Sequence, residues 1–330
     1  MRHGLWSNLR LEGGYMRLRS LVLVALLGAA LCVTSVADAV STFATGMGTP
    51  ETVARTASGT FLVTDAGPDG SGPIWSVPAT GGRATQVASA NYSLRDGVFL
   101  PANFGSVGGQ FLVVGGEATE NGTGFASTMN SSFTLTPYAS QAKSLWNTPV
   151  VASGFGQHKG EVLVTNQGSG TGSHDGSVDI FTPEGTVGRL ADLPALDTPF
   201  GAALAPTGFG VVGGTLLVSD AGGGGIYSVN PNGKVSLFTT LPLGSGQDGL
   251  RQIAFAPSGW GKYSGYLFVS LQRRDIDIVG RNGSIIGKIS GTFNPRGLLF
   301  TTISGKPTLL FSDTLNGFIQ SAGPGDIVPN

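Results

Sequence analysis

One phrase returns six times along the chain: a glycine or proline, a run of apolar residues, then a polar or small one. It reads Gly59-Thr-Phe-Leu-Val-Thr-Asp65, Gly109-Gln-Phe-Leu-Val-Val-Gly115, Gly160-Glu-Val-Leu-Val-Thr-Asn166, Gly214-Thr-Leu-Leu-Val-Ser-Asp220, Gly265-Tyr-Leu-Phe-Val-Ser-Leu271 and Pro307-Thr-Leu-Leu-Phe-Ser-Asp313. Aligned on Phe61, Phe111, Val162, Leu216, Leu267 and Leu309, the repeats step by 50, 51, 54, 51 and 42 residues. A period of that length, carrying short apolar runs and no helical spacing, fits one small antiparallel sheet per repeat. The predicted fold class is all-β: a six-bladed β-propeller with four antiparallel strands per blade.

Composition narrows the class further. The 54 glycines keep no three-residue period, which excludes collagen, and a hydrophobic fraction of 40% excludes disorder. Charged residues make up 12% and the net charge is −1, so neither nucleic acid nor an anionic membrane is an expected partner. Near the N-terminus, Arg17 and Arg19 precede an apolar run from Leu21 to Val33 and then Ala37-Asp38-Ala39. This is the charged, apolar, small-residue order of a secretory leader, too short for a membrane span, with cleavage expected after Ala39 and a true start at Met16. Residues 1–39 are thus expected to be an upstream extension and leader, and residues 40–330 a single domain. The mature chain, secreted or periplasmic, would lack Cys32, the sole cysteine, and with it disulfides and thiolate chemistry. It is expected to be a monomer.

Blade 4 shows the internal grammar. Gly201-Ala-Ala-Leu-Ala-Pro206 reads as the innermost strand, Leu216 to Ser219 as the second, Ile226 to Val229 as the third and Val235 to Thr239 as the outermost. The turn Asn230-Pro-Asn-Gly233 joins the last two, with Asn-Gly suited to positive φ. Blade 6 lacks an outermost strand before the chain ends, whereas Val40-Ser-Thr-Phe-Ala-Thr45 resembles Val235-Ser-Leu-Phe-Thr-Thr240. The N-terminal strand is therefore predicted to complete the last blade and close the ring, because an open ring exposes an apolar edge.

In a propeller the loops from strand 4 to 1 and from strand 2 to 3 gather on one face around the axis, where ligand sites form. That rule places Asp65, Asn166, Asp220 and Asp313, at second-strand ends, near one mouth. Glu51, Arg95 with Asp96, Asn147, Asp248 with Arg251, and Arg296, at first-strand starts, join them. Clustered oxygen donors suit a hard divalent cation, Ca²⁺ first, whereas the arginines suit a carboxylate or phosphate on a ligand. Arg95, Asp96, Asn166, Asp220, Arg251 and Arg296 are accordingly substrate-binding candidates. The competing reading is that each Asp or Asn merely caps its own turn.

The opening blade, Pro50-Glu51-Thr-Val-Ala followed by Gly59 to Asp65, resembles the gluconolactonase and senescence-marker-protein family of six-bladed propellers, and the strand phrases resemble NHL-type repeats equally well. The first resemblance implies one divalent metal over the axis, held by Glu51, Asn147 and, in Gln247-Asp248-Gly249-Leu250, Asp248. The family's further asparagine is replaced by Phe200. Arg95-Asp96-Gly97 is similar to the family's substrate-contacting stretch, one blade early. The implied activity is lactone hydrolysis, with Asp248 as base and Arg95 or Arg251 positioning a lactone, sugar or carboxylate. No organic cofactor is expected. The alternatives are a non-catalytic NHL-type binding or interaction module and a lyase using His174, in the long blade 3 loop, as general base.

Overall fold

The computed structural model describes residues 40–330 except 69, 118–121, 171, 245–248, 274 and 292. The expectations for the leader, its start and its cleavage site, and for Asp248, lie outside the described residues. Six sheets succeed one another along the chain. Innermost to outermost, blade 1 consists of Pro50–Arg55, Phe61–Asp65, Gly72–Val77 and Thr85–Ala90. Blade 2 is Ser93–Phe99, Phe111–Gly116, Thr123–Met129 and Leu135–Ala142, and blade 3 is Trp146–Val151, Val162–Asn166, Ser177–Phe181 and Val187–Asp192. Blade 4 runs Pro199–Leu204, Leu216–Asp220, Gly225–Val229 and Val235–Thr240; blade 5 runs Leu250–Phe255, Leu267–Leu271, Ile276–Val279 and Ile285–Ile289. Blade 6 takes Pro295–Ile303, Lys306–Asp313 and Phe318–Ala322 from the end of the chain and Ser41–Thr45 from its beginning. The predicted architecture and strand-by-strand grammar are borne out, including Gly233 of the blade 4 hairpin, whose φ of 78° is the left-handed value that turn needs.

The second strands of blades 1 to 5 are buried end to end, and that of blade 6 from Leu309 onward, because each is flanked by strands of its own sheet and packed on both faces against neighbouring blades. That explains why they read as unbroken apolar runs and not as alternation. The buried apolar side chains form six clusters, one in each gap between successive blades: Phe104, Leu112, Trp146 and Val164 between blades 2 and 3, for example, and Phe209, Leu217, Ile253 and Val269 between blades 4 and 5. Stability is thereby distributed around the ring, and every gap must be filled for the circle to hold.

The ring closes as predicted. Ser41, Thr42 and Ala44 pair antiparallel with Ser321, Gln320 and Ile319, and Ala44, 1% exposed, joins the core between blades 6 and 1. Two further ties add to the closure. Ala44 and Thr45 also pair in parallel with Gly82 and Arg83 of blade 1, and the last strand, Val328–Pro329, leaves blade 6 to pair with Lys288 and Gly287 on the outer edge of blade 5. Ile327 anchors that strap in the core between blades 5 and 6. Deletion of residues 40–45 should lower the melting temperature by more than about 10 °C, since it opens an edge and uncovers one of the six interblade cores. Scanning calorimetry of the truncated chain checks this, and an unchanged transition would refute the closure.

Candidate functional site

The site is built by a deviation that all six innermost strands share. Each strand shifts register at its start: between Pro50 and Thr52, Leu94 and Asp96, Trp146 and Pro149, Pro199 and Ala202, Leu250 and Ile253, and Pro295 and Leu298. A bulge frees a residue from the ladder and re-aims its side chain. The residues so placed are Glu51, Arg95, Asn147, Phe200, Arg251 and Arg296, one from each blade.

Hydroxyl groups fix this ring from behind. Thr165 Oγ1 donates to the carbonyl of Phe200 in the next blade, Ser219 Oγ to that of Arg251, Ser270 Oγ to that of Arg296 and Ser312 Oγ to that of Glu51, over 2.5–2.9 Å. The same oxygens accept from the backbone N–H of Thr148, Gly201 and Gly297 in three of these blades. On the second strands of blades 3 to 6 a hydroxyl therefore satisfies backbone atoms that the bulges release from the ladder. Val114 of blade 2 has no hydroxyl to offer, and Thr64 Oγ1 of blade 1 is buried without a partner.

At the mouth, Arg296 Nη1 lies 2.8 and 2.9 Å from the two oxygens of Glu51, and Arg95 Nη1 lies 3.4 Å from Oε1. The Glu51 side chain is 2% exposed. Arg251 lies 4.8 Å over the Phe200 ring and donates through Nη2 to Gln272 Oε1. Burial, and then the neighbouring Arg296, pull its pKa down to about 9. The Nε atoms of all three arginines are buried without a partner, as is Oδ1 of Asn147, whose Nδ2 donates to the carbonyl of Pro199. Above the ring opens a cavity of about 780 Å³. Arg95, Arg251, Arg296 and Phe200 line it together with the blade 3 loop around Gly168–Ser173 and the blade 4 turn at Ala221 and Gly222.

Beneath lies Asp96, 7% exposed. Gln252 of blade 5 reaches across the axis from the opposite blade to donate to its Oδ2, Thr52 and Thr148 bond it from the flanking blades, and its own Gly97 N–H donates at 2.6 Å. Among these partners none is a cation. Burial raises its pKa to about 7, the charge of Glu51 adding to the rise. Asp96 is thus a plug of the channel and not part of the cavity wall.

The structure brings Arg95, Arg251, Arg296, Glu51 and Asn147 together as expected. It gives Asn166 and Asp220 a different task. Asn166 donates to Ser144 and Asp179 and accepts from Gly168 N–H, and Asp220 accepts from the N–H groups of Thr198 and Gly222. Asp65 and Asp313 do likewise, accepting from Thr49 and Gly67, and from Asn294 and Leu315. These side chains hold a turn two residues on and, in blades 1, 4 and 6, the backbone two residues before the ring position. They act as caps, the competing reading that the sequence left open, and neither Asn166 nor Asp220 lines the cavity. His174 is exposed, has a φ of 54°, and directs Nδ1 to the carbonyl of Leu196 at 3.3 Å, while its neighbours Gly172 and Ser173 line the cavity. In blade 5 the ring position equivalent to Glu51 is Arg251, three residues beyond Asp248. What the sequence did not reveal is the pairing of Glu51 with arginines and the plugging role of Asp96.

The described residues do not fit a divalent cation. Glu51 is already paired with two guanidiniums, Phe200 and Arg251 stand at two further ring positions, and among the described residues no three His, Cys, Asp or Glu side chains cluster. The ring carries three positive charges against one negative.

No protein-family model and no curated protein matches the sequence. The fold is shared with solved six-bladed structures. A luciferin-regenerating enzyme superposes with a TM-score of 0.61 at 10% identity, over 86% of this chain and 94% of that one. A gluconolactonase from Xanthomonas campestris gives 0.59 at 15% identity, over 88% of each chain. An auxiliary nutrient binding protein from Bacteroides ovatus gives 0.57 at 13%, over 86% of this chain and 70% of that one. The likeness is one of fold, as the resemblance in sequence pattern implied.

Asp96 has a measurable signature. Between about pH 4 and pH 7 the folded chain keeps a proton here that the unfolded chain has lost. Stability contributed by this group is therefore fully present below about pH 4 and falls as pH rises toward 7, by roughly 2–4 kcal/mol. Asp96→Asn should remove that fall, so that the variant gains on the wild type as pH increases. Urea denaturation across this range tests it; parallel pH profiles for the two proteins would show that Asp96 titrates normally.

Proposed function

We propose that the protein is an exported ligand-binding propeller whose central mouth takes up a small anion, a carboxylate above all. The observation that carries this reading is Arg251: a largely buried guanidinium, crowded by Arg95 and Arg296 and, among the described residues, paired with no carboxylate. A cation whose proton affinity is lowered by burial and like charge is relieved by an arriving anion, and guanidinium geometry favours a planar carboxylate. The cavity volume lies within the ordinary range for small-molecule sites. Export is supported by the leader-like residues 17–39 and the sparse surface charge. The nutrient binding protein of the same fold lends the binding reading a precedent of architecture. Among the described residues no helix is long and apolar enough to cross a membrane.

A thermal-shift panel of small carboxylates, neutral sugars and lactones tests the proposal. Carboxylates should raise the melting temperature in proportion to the logarithm of their concentration, and prior chelation of divalent cations should leave that rise unchanged. Arg251→Gln should abolish it. Stabilisation by neutral sugars alone, or by carboxylates undiminished in the variant, would overturn the reading.

A further inference from the structure

The three mouth arginines are not equivalent. Glu51 takes Arg296 through both of its oxygens and Arg95 through one, and its carboxylate is almost wholly buried. Its backbone is held as tightly, since the carbonyl accepts from Ser312 of blade 6. Glu51 thus stands where a second carboxylate of a ligand would have to go. Arg251, on the Phe200 face, is left with a neutral partner, Gln272, and in this it differs from the other two, since the Nε of all three is buried without a partner among the described groups. The acidic residue in the cavity wall, Glu117, is exposed and accepts from Thr123 N–H at 3.1 Å, and no ion pair joins it to Arg251 among the described residues.

We propose that Glu51 is a built-in counter-ion that occupies Arg95 and Arg296, so that the mouth presents one available guanidinium, Arg251, and selects ligands bearing a single carboxylate over dicarboxylates. The inference rests on the anion reading above and specifies its ligand class. A first carboxylate meets Arg251. A second, on the same small molecule, meets the fixed negative charge of Glu51, whose burial makes its repulsion of a like charge stronger than in bulk water. Discrimination then comes from a repulsive element that belongs to the protein. Replacing that element with a neutral isostere frees two guanidiniums and reverses the preference.

Isothermal titration of the full chain with propionate and with succinate reads this directly. The wild type should bind propionate, with succinate no tighter. Glu51→Gln should shift the succinate-to-propionate affinity ratio toward succinate by at least about tenfold. Succinamate, in which the second carboxylate is a neutral amide, provides a second reading that needs no variant: on the wild type it should bind as propionate does, and more tightly than succinate. A wild type that prefers succinate to propionate or to succinamate, or a ratio unmoved by Glu51→Gln, would overturn the counter-ion role while leaving anion binding intact. Titration of neither anion on the wild type would overturn both.

Discussion

The molecule depends on the way its innermost strands begin. Six bulges would leave backbone groups unpaired at the narrowest part of the ring, and a buried unpaired N–H or C=O costs about 1–3 kcal/mol. Four second-strand hydroxyls meet that demand, each bonding to the next blade's bulge carbonyl. One hydrogen bond therefore does two jobs: it ties neighbouring blades together and fixes the residue that faces the mouth. Fold and site are coupled at the same atom. A change to Ser219 would disturb both the gap between blades 4 and 5 and the stance of Arg251.

Holding three arginines together in a partly buried ring is unfavourable unless something offsets their repulsion. Glu51 does so for two of them, and breaking such a buried pair typically costs 3–5 kcal/mol. Phe200 does so in part for the third, by offering the negative face of its ring to Arg251. Phe200, where the resemblance implied an amide, offers no ligand to a metal and places its ring 4.8 Å from the Arg251 guanidinium. Asn147, 1% exposed, sits in the same ring with an Oδ1 that none of the described groups satisfies.

The architecture was legible because its signal is redundant. Six copies of an apolar second strand, each followed by turn residues, survive any single misreading, and Val40 to Thr45 matched Val235 to Thr240 closely enough to reveal the closure. The strap at Val328–Pro329 was not legible, because two residues carry no periodicity. Within the site, Arg95, Arg251 and Arg296 were found because long cations at strand starts have few structural reasons to be there. For Asn166 and Asp220 the sequence left two readings open, because an Asp or Asn after a strand is written identically whether it caps a turn or awaits a ligand. Only the hydrogen bonds from Thr198 and Gly168 separate the two. Arg251 rather than Asp248 occupies the blade 5 ring position for a related reason: a short motif gives composition, whereas the ring position is set by bulge register, which a motif does not encode.

A scaffold that fixes six ring positions through the backbone leaves their side chains free to vary independently. The hydroxyls bond to carbonyls that every residue possesses, so Glu51, Phe200, Arg251 and Arg296 are held by the same contact despite sharing no chemistry. This explains how a fold shared with solved structures at 10–15% identity can carry a cationic mouth here. It also locates the constraint on change. Ring residues can be exchanged at little cost to the blades so long as charge remains balanced among the six, and Glu51, alone in opposing three arginines, is the position at which that balance is set.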